Sequence, residues 1–407
     1  MFNDYINNDK EWNLFLNEKL ENNYELKYEK DILKDFIENK KYKEITTKLE
    51  NNNYTFSLPI KKEINKKHTG KKRITYTFKK EEMIILKFIT NKLYKYDYLF
   101  EDNLYSFRKH TGVKNALNKL MKTKSLKNMY AYKLDISNYF NSINTKLLLK
   151  NLEKDLNDKN LFNIIKQILT QDKVLDKNKE IIEQKGIMAG TPTASFLANY
   201  YIKDIDTYFK NEGIIYLRYS DDIIIFTKTK EEQTKYSNIL KELLKSYNLS
   251  INNEKEEYYN PHDKWEFLGF SFQDGKIDIS NNSKNKIKGK IKRSAKKIRR
   301  WMLNKNVDED KAIKVMIRKF NKKFYSASNI ELSWKYWFFP IINTTKSLKE
   351  IDNYLQEHIR YIKTGKWNKK NYKKTPYSKL KELGYKSLVH EYYLFINMKS
   401  NMSSIKS

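Results

Sequence analysis

Asp221 and Asp222 stand side by side in LRYSDDIIIF (217–226), an otherwise sheet-forming run. Adjacent carboxylates flanked by Ile223, Ile224, Ile225 and Phe226 repel each other and lose hydration unless something neutralises them. A third carboxylate, Asp135, falls near the end of another such run, MYAYKLDIS (129–137). If the two runs are neighbours in one antiparallel sheet, three carboxylates converge on one edge. Hard oxygen ligands of this kind suit Mg²⁺, with Mn²⁺ as the alternative ion, and Mg²⁺ also takes substrate phosphates as ligands. Two such ions activate a 3′-hydroxyl and stabilise a leaving pyrophosphate in an in-line displacement. For the Asp–Asp pair alone, a polar turn is the competing reading, because Asp is common in turns.

The elements that must position these residues follow from local patterning. Two or three polar helices are expected in residues 1–50. Two strands around a basic KHTG turn are expected in 54–78, and helices through most of 80–128 and 144–171. KGIMAGTPTASFLANYYIKDIDTYF (185–209) reads as a Gly/Pro loop feeding one long helix. The Asp–Asp run reads as a hairpin turning at Ser220–Asp221, followed by a helix in 231–252 and a strand in KWEFLGFSF (264–272). Beyond 280 the chain reads as basic helices. Ile287, Ile291, Ala295, Ile298 and Met302 recur at helical spacing, with ten Lys or Arg between 284 and 300 mostly on the other faces. SWKYWFFP (333–340) is expected in the core. KSLKEIDNYLQEHIRYIKTGK (346–366) reads as a further helix. The prolines at 59, 192, 261, 340 and 376 all fall at ends or turns of these elements.

The order of the segments is an Asp-bearing strand, a Gly/Pro loop and helix, the Asp–Asp hairpin, a lysine (Lys255) and FLGF (267–270). In this order the chain resembles the reverse transcriptases, in particular bacterial enzymes similar to those of group II introns and retrons. YSDD matches that family's Tyr-x-Asp-Asp hairpin, and FLGF its primer-grip strand. KHTGKKRITYTF and LYSFRKHTGVKNAL resemble its fingers segments. The resemblance implies an α+β right-hand polymerase, with fingers and palm built of antiparallel sheet plus helices, then an all-helical thumb and C-terminal extension. The implied divisions are 1–128, 129–280, 281–345 and 346–407.

Roles follow from the same resemblance. Asp135 and Asp221 would be principal metal ligands, with Asp222 supporting and Ile136 among the metal-binding positions. Lys255 would donate a proton to pyrophosphate. Phe140 would gate the sugar, its ring filling the space a 2′-hydroxyl needs; a core aromatic is the alternative. Lys72, Arg73, Gly190 and Tyr219 would meet the incoming nucleotide. Arg108, Arg293, Lys297, Arg300 and Gly269 would contact nucleic acid. Met188-Ala189-Gly190 departs from the family's usual Pro-Gln-Gly, and no retron-type Val-Thr-Gly follows. These departures resemble the defence-associated and abortive-infection reverse transcriptases. The implied partners are a structured noncoding RNA, an RNA–DNA duplex and deoxynucleoside triphosphates. A retron or group II intron enzyme is the alternative within the class, and an RNA-binding maturase or scaffold the alternative outside it.

Composition bounds the rest. A chain of 407 residues is long enough for two or three domains. It has no cysteine, which excludes disulfides and cysteine-ligated zinc and fits a reducing cytoplasm. No run approaches the roughly 20 apolar residues of a membrane span, and the N-terminus lacks a signal-peptide pattern. A net charge of +31 points to a polyanionic partner, although a Lys- and Asn-rich bias of AT-rich coding competes with that reading. Only eight residues are arginine. Arg73, Arg108, Arg218 and the cluster Arg293, Arg299 and Arg300 therefore read as places needing a planar fork for phosphate.

Overall fold

The computed structural model describes residues 2–21, 27–65, 72–183, 185–326 and 333–404. The expected KHTG turn lies outside them. The chain divides into two compact units, Met1–Pro261 and His262–Ser407. No helix among the described residues is long and apolar enough to cross a membrane.

The described residues of the first unit contain eight strands: β1 (Ile60–Asn65), β2 (Lys72–Thr77), β3 (Tyr130–Asp135), β4 (Lys173–Asp176), β5 (Lys179–Ile182), β6 (Ile215–Tyr219), β7 (Asp222–Thr227) and β8 (Glu257–Tyr259). They form two sheets, ordered β2-β1-β4-β5 and β6-β7-β3-β8. The second sheet is antiparallel throughout, with β3 paired to both β7 and β8 and β6 paired to β7. Its central strands are apolar because the sheet is covered: Ile223 to Phe226 are all buried. The antiparallel neighbours that the carboxylates require are therefore present.

Four helices, Phe2–Ile6, Asp9–Glu21, Lys27–Glu38 and Tyr42–Glu50, occupy the N-terminal stretch, more than its polar sequence indicated. Trp12 organises them, stacked between Tyr42 at 4.3 Å and Phe88 at 3.9 Å. The expected long helix after the Gly/Pro loop is two helices, Ala194–Tyr201 and Lys203–Asn211. Ile202 breaks it by leaving helical geometry (φ −119°, ψ 27°). Beyond the break, Asp206 and Phe209 reach Arg218 and Tyr216 of β6.

The second unit opens with β9 (Trp265–Phe267), β10 (Phe270–Gln273) and β11 (Lys276–Ile279), a three-stranded antiparallel sheet. KWEFLGFSF is thus a hairpin, not one strand. Leu268 and Gly269 both take positive φ, 50° and 90°, as a two-residue turn between β9 and β10 needs. The unit then runs through the long helices Asn281–Asn304, Glu309–Tyr325, Lys346–Thr364 and Leu388–Ser404. The apolar stripe Ile287, Ile291, Ala295, Ile298 and Met302 is buried, as its spacing indicated, and so are Trp334, Phe338 and Phe339.

Candidate active site

The β3–β7 register places Asp135 directly opposite Asp222, with Asp221 in the adjoining turn. Asp135 is buried and the other two are half-buried. Burial, and then the Asp135 charge, pushes the Asp221 carboxyl up. Burial, Asp221 and Asp135 together push Asp222 up to about 6. Asp221 and Asp222 thus resist ionisation beside the Asp135 charge, a repulsion that a bound cation relieves.

Ile136 extends this edge. Its amide donates to the Asp221 carbonyl at 3.0 Å. On the other side Ser137 and Asn252 carry the pairing with the 250–252 segment. In extended backbone the carbonyl of a residue lies on the same side as its amide, so the Ile136 oxygen also faces the aspartate turn. Among the described residues, no three carboxylate or imidazole groups converge tightly enough to hold a metal ion by themselves. Mg²⁺ ordinarily takes one or two carboxylates and completes its shell with water and substrate phosphates. Asp135, Asp221, Asp222 and the Ile136 carbonyl fit that pattern.

The cationic side chains divide. Lys255 Nζ lies 2.8 Å from Asp135 Oδ2. Burial works against its charge, but the bond to Asp135, with Asp222 and Asp221 behind it, holds its pKa above the ordinary value. Lys72 and Arg73 are adjacent on β2 and so point to opposite faces. Lys72 pairs with Glu63 at 2.5 Å across the hairpin, while the Arg73 charge acts on Asp221.

Phe140 is half-buried, in the short helix Tyr139–Ser142 that follows β3. Its neighbour Tyr139 is the core residue, donating its hydroxyl to the Ala198 carbonyl at 2.5 Å. Phe140 and Tyr219 both approach Phe107, at ring-centroid distances of 6.4 and 6.3 Å. The Gly/Pro loop supports this group from behind. Ile187 donates its amide to the Phe140 carbonyl at 3.0 Å. Gly186 sits so close that a Cβ there would lie 2.3 Å from that same oxygen. Further along, Tyr76 of β2 donates its amide to the Ala189 carbonyl at 2.8 Å. Gly190 has φ 103°, and an added Cβ would lie 3.0 Å from the Tyr76 carbonyl. Gly190 therefore allows close approach to β2.

A buried polar frame fixes the aspartate turn. Ser220 has φ 61° and donates its amide to Ser106 Oγ at 2.8 Å. Ser106 and Asn199 bond each other twice, at 3.0 and 2.7 Å. Arg218, fully buried, forks onto both oxygens of Asp206 and also reaches the Asn199 carbonyl at 3.1 Å. Tyr216 adds a 2.9 Å bond to Asp206. Burial works against the Arg218 charge, and Asp206 more than offsets it, holding the pKa above its ordinary value.

The region that carries this geometry is also the region recognised by comparison. The sequence pattern of the family described as reverse transcriptase (RNA-dependent DNA polymerase) matches residues 64–272. The chain belongs to this family. Among curated proteins, the Retron Ec83 reverse transcriptase of Escherichia coli is 28% identical over 109 residues, 25% of this chain. The match spans 34% of that relative's own length. Among solved structures, apo telomerase from Candida tropicalis, truncated from its C-terminal domain, aligns with a TM-score of 0.45 and 15% identity over 55% of each chain. Telomerase from Candida albicans, in complex with a TWJ fragment of telomeric RNA, aligns with a TM-score of 0.45 and 14% identity, covering 86% of this chain and 68% of that one.

Within this reverse transcriptase fold, several arginines expected at phosphate serve the protein itself. Arg108 forks onto Asp97 at 2.9 and 2.8 Å and donates to the carbonyls of Glu101 and Leu104, so it fastens its own loop. Arg218 is the buried anchor just described. Arg299 donates to the carbonyls of Ile362 and Lys363 and caps the helix Lys346–Thr364. These sites need a planar fork, as inferred, but the acceptors are carboxylates and carbonyls of the protein. Arg293, Lys297 and Arg300 lie exposed on the helix Asn281–Asn304. The Gly269 carbonyl accepts from the Ser280 amide at 3.0 Å, tying the FLGF turn to the start of that helix. Phe107, Ser106, Asn199, Asp206 and Gly186 were not singled out from sequence. The one available signal was Ser-Phe next to Arg108 in a segment already noted.

Proposed function

We propose that the chain is an RNA-directed DNA polymerase, a nucleotidyltransferase that extends a primer with deoxynucleoside triphosphates on a structured noncoding RNA. The observation that carries the reading is Asp135 opposite Asp222 with Asp221 alongside, a carboxylate edge under mutual repulsion inside a reverse transcriptase fold. Two Mg²⁺ ions, or Mn²⁺, held there would activate the 3′-hydroxyl and neutralise the departing pyrophosphate. The Arg73 charge is felt at Asp221 and suits the triphosphate. Lys255, kept cationic, is placed to return a proton to pyrophosphate. Phe140, half-buried beside Phe107 and Tyr219, suits a sugar gate better than a core position.

The +31 charge supports an RNA partner and an RNA–DNA duplex product. Met188-Ala189-Gly190 in place of the common loop, together with the helical C-terminal unit, supports a role in bacterial antiviral defence. The lack of cysteine supports a cytoplasmic setting. The similarity to the Retron Ec83 enzyme favours a retron-type enzyme as the second reading.

The test is incorporation of labelled deoxynucleotides by the purified chain with its co-purifying RNA, wild type against Asp221→Asn. Synthesis should fall by several orders of magnitude in the variant, while melting shows an intact fold. Near-normal incorporation by folded Asp221→Asn sinks the assignment. Absence of synthesis in both leaves the RNA-binding scaffold standing. Sequencing the co-purifying nucleic acid separates the defence and retron readings.

A further inference from the structure

Arg360 lies in the helix Lys346–Thr364 and is only 2% exposed. Its Nε donates to the Thr375 carbonyl at 2.9 Å, and Nη1 lies 3.5 Å from Gln356 Oε1. Among the described residues no carboxylate forms an ion pair with it and Nη2 donates to nothing. A buried arginine is ordinarily paired, as Arg218 is with Asp206. The Arg360 guanidinium instead borders an open cavity of about 220 Å³ that Trp367, Lys369 and Tyr372 also line. Glu357 is the one carboxylate in that lining, so cations outnumber it.

The cavity rim is aromatic. Tyr372 covers the guanidinium at 4.1 Å and is itself 45% exposed. Trp367 stacks on Tyr361 at 4.3 Å with planes 7° apart, and remains 52% exposed. Around them, Lys366, Lys369, Lys370, Lys373 and Lys374 are exposed. None of the five pairs with a carboxylate among the described residues. Burial pushes the Arg360 pKa down, and nearby Tyr372, Tyr385 and Glu357 only partly offset it.

We infer that this pocket binds single-stranded nucleic acid, with one backbone phosphate on Arg360 and Lys369 and adjacent bases stacked on Trp367 and Tyr372. A guanidinium fork matches phosphate geometry. Exposed aromatic faces take unpaired bases, whereas a duplex hides its base faces. The lysine track continues beyond the cavity, which favours a polymer over a free nucleotide. The assignment stands apart from the polymerase reading, since it involves neither the carboxylates nor synthesis.

The test uses the full chain with excess unlabelled RNA–DNA duplex occupying other surfaces, and fluorescein-labelled oligouridine and oligothymidine as probes. Arg360 is buried and its loss threatens the fold, so the primary variant is Trp367→Ala/Tyr372→Ala, with Trp367→Phe/Tyr372→Phe as the stacking-competent control. Affinity should fall at least about thirtyfold in the alanine variant, as loss of two stacked bases implies. It should recover in the phenylalanine variant, with melting unchanged in both. The probe that binds more tightly tells whether the strand is RNA or DNA. Photocrosslinking should attach the probe to the peptide containing Trp367. Unchanged affinity in the alanine variant overturns the site, and so does full displacement of the oligonucleotide by AMP, which would make it a free-nucleotide pocket.

Discussion

Asp135 faces Asp222 across the β3–β7 ladder, one rung beyond the apolar pair Leu134–Ile223. No earlier rung pairs like charges, while the last does, which destabilises a sheet.

That rung makes stability depend on pH. Asp222 holds its proton up to about 6 because of burial, Asp221 and Asp135, against an ordinary value of 3.8. A carboxyl that binds its proton more tightly when folded stabilises the fold while protonated. The contribution is full below the ordinary value and is lost as pH rises through about 6. Metal-free wild type should therefore lose melting temperature relative to Asp222→Asn between pH 4 and pH 7. Added Mg²⁺ at neutral pH should restore the wild type and stabilise the variant less, since Asp135 and Asp221 remain to hold the ion. A constant difference between the two proteins across that range would show that the rung is not charged as described.

Phe140 predicts a change in sugar choice. Removal of its half-exposed ring should cost less stability than loss of a buried phenylalanine, for which roughly 3–5 kcal/mol is usual. The ratio of kcat/KM for ATP to that for dATP should rise in Phe140→Ala. Gly186→Ala should produce a similar shift from a residue that touches no nucleotide, because its Cβ must displace the Phe140 carbonyl. Unchanged ratios in both folded variants would remove Phe140 from the sugar site.

Arg218 predicts a collapse of the turn. Arg218→Met leaves Asp206 buried without its cation, a change that costs roughly 3–5 kcal/mol. Arg218→Lys should recover little, because an ammonium cannot fork onto both oxygens while reaching Asn199. Urea denaturation reports the energy, and hydrogen exchange at β6 and β7 reports the location. Exchange that stays slow in Arg218→Met would show that the turn is held by something else.

The helix Asn281–Asn304 predicts a salt signature. Arg293, Lys297 and Arg300 are exposed, opposite its buried stripe. Changing all three to Gln should weaken RNA–DNA duplex binding with little change in sequence preference. Each lost phosphate contact should flatten the slope of log K against log salt by roughly 0.7–0.9. Weaker binding with an unmoved slope would mean that these residues do not meet phosphate.

The sequence made the carboxylate edge legible because short apolar runs of sheet-forming residues read as strands, and a two-residue turn between them specifies a hairpin. The buried stripe from Ile287 to Met302 was legible through its helical spacing. What stayed hidden depends on contacts between distant segments. Nothing in the local pattern of Ser106 or Asn199 announces that they meet each other and the Ser220 amide. The break at Ile202 is likewise a tertiary choice, since the surrounding residues suit a helix. Arg218 was noticed for its type, but the presence of Asp206 as its partner is a fact of folding. β9 and β10 read as one strand in the sequence because Leu268 is an uncommon residue for positive φ.

The loop 185–190 is bonded at both ends, through Ile187 to the Phe140 carbonyl and through Ala189 to Tyr76 of β2. It is a strut between the ring that would inspect the sugar and the strand whose Arg73 would grip the phosphates. If β2 swings and both bonds survive, the swing must carry the Phe140 shelf with it. Grip and inspection are then one jaw, not two. A nucleotide whose triphosphate is seated but whose sugar does not fit would hold that jaw open, so rejection of the wrong sugar would register as faster release as well as slower chemistry.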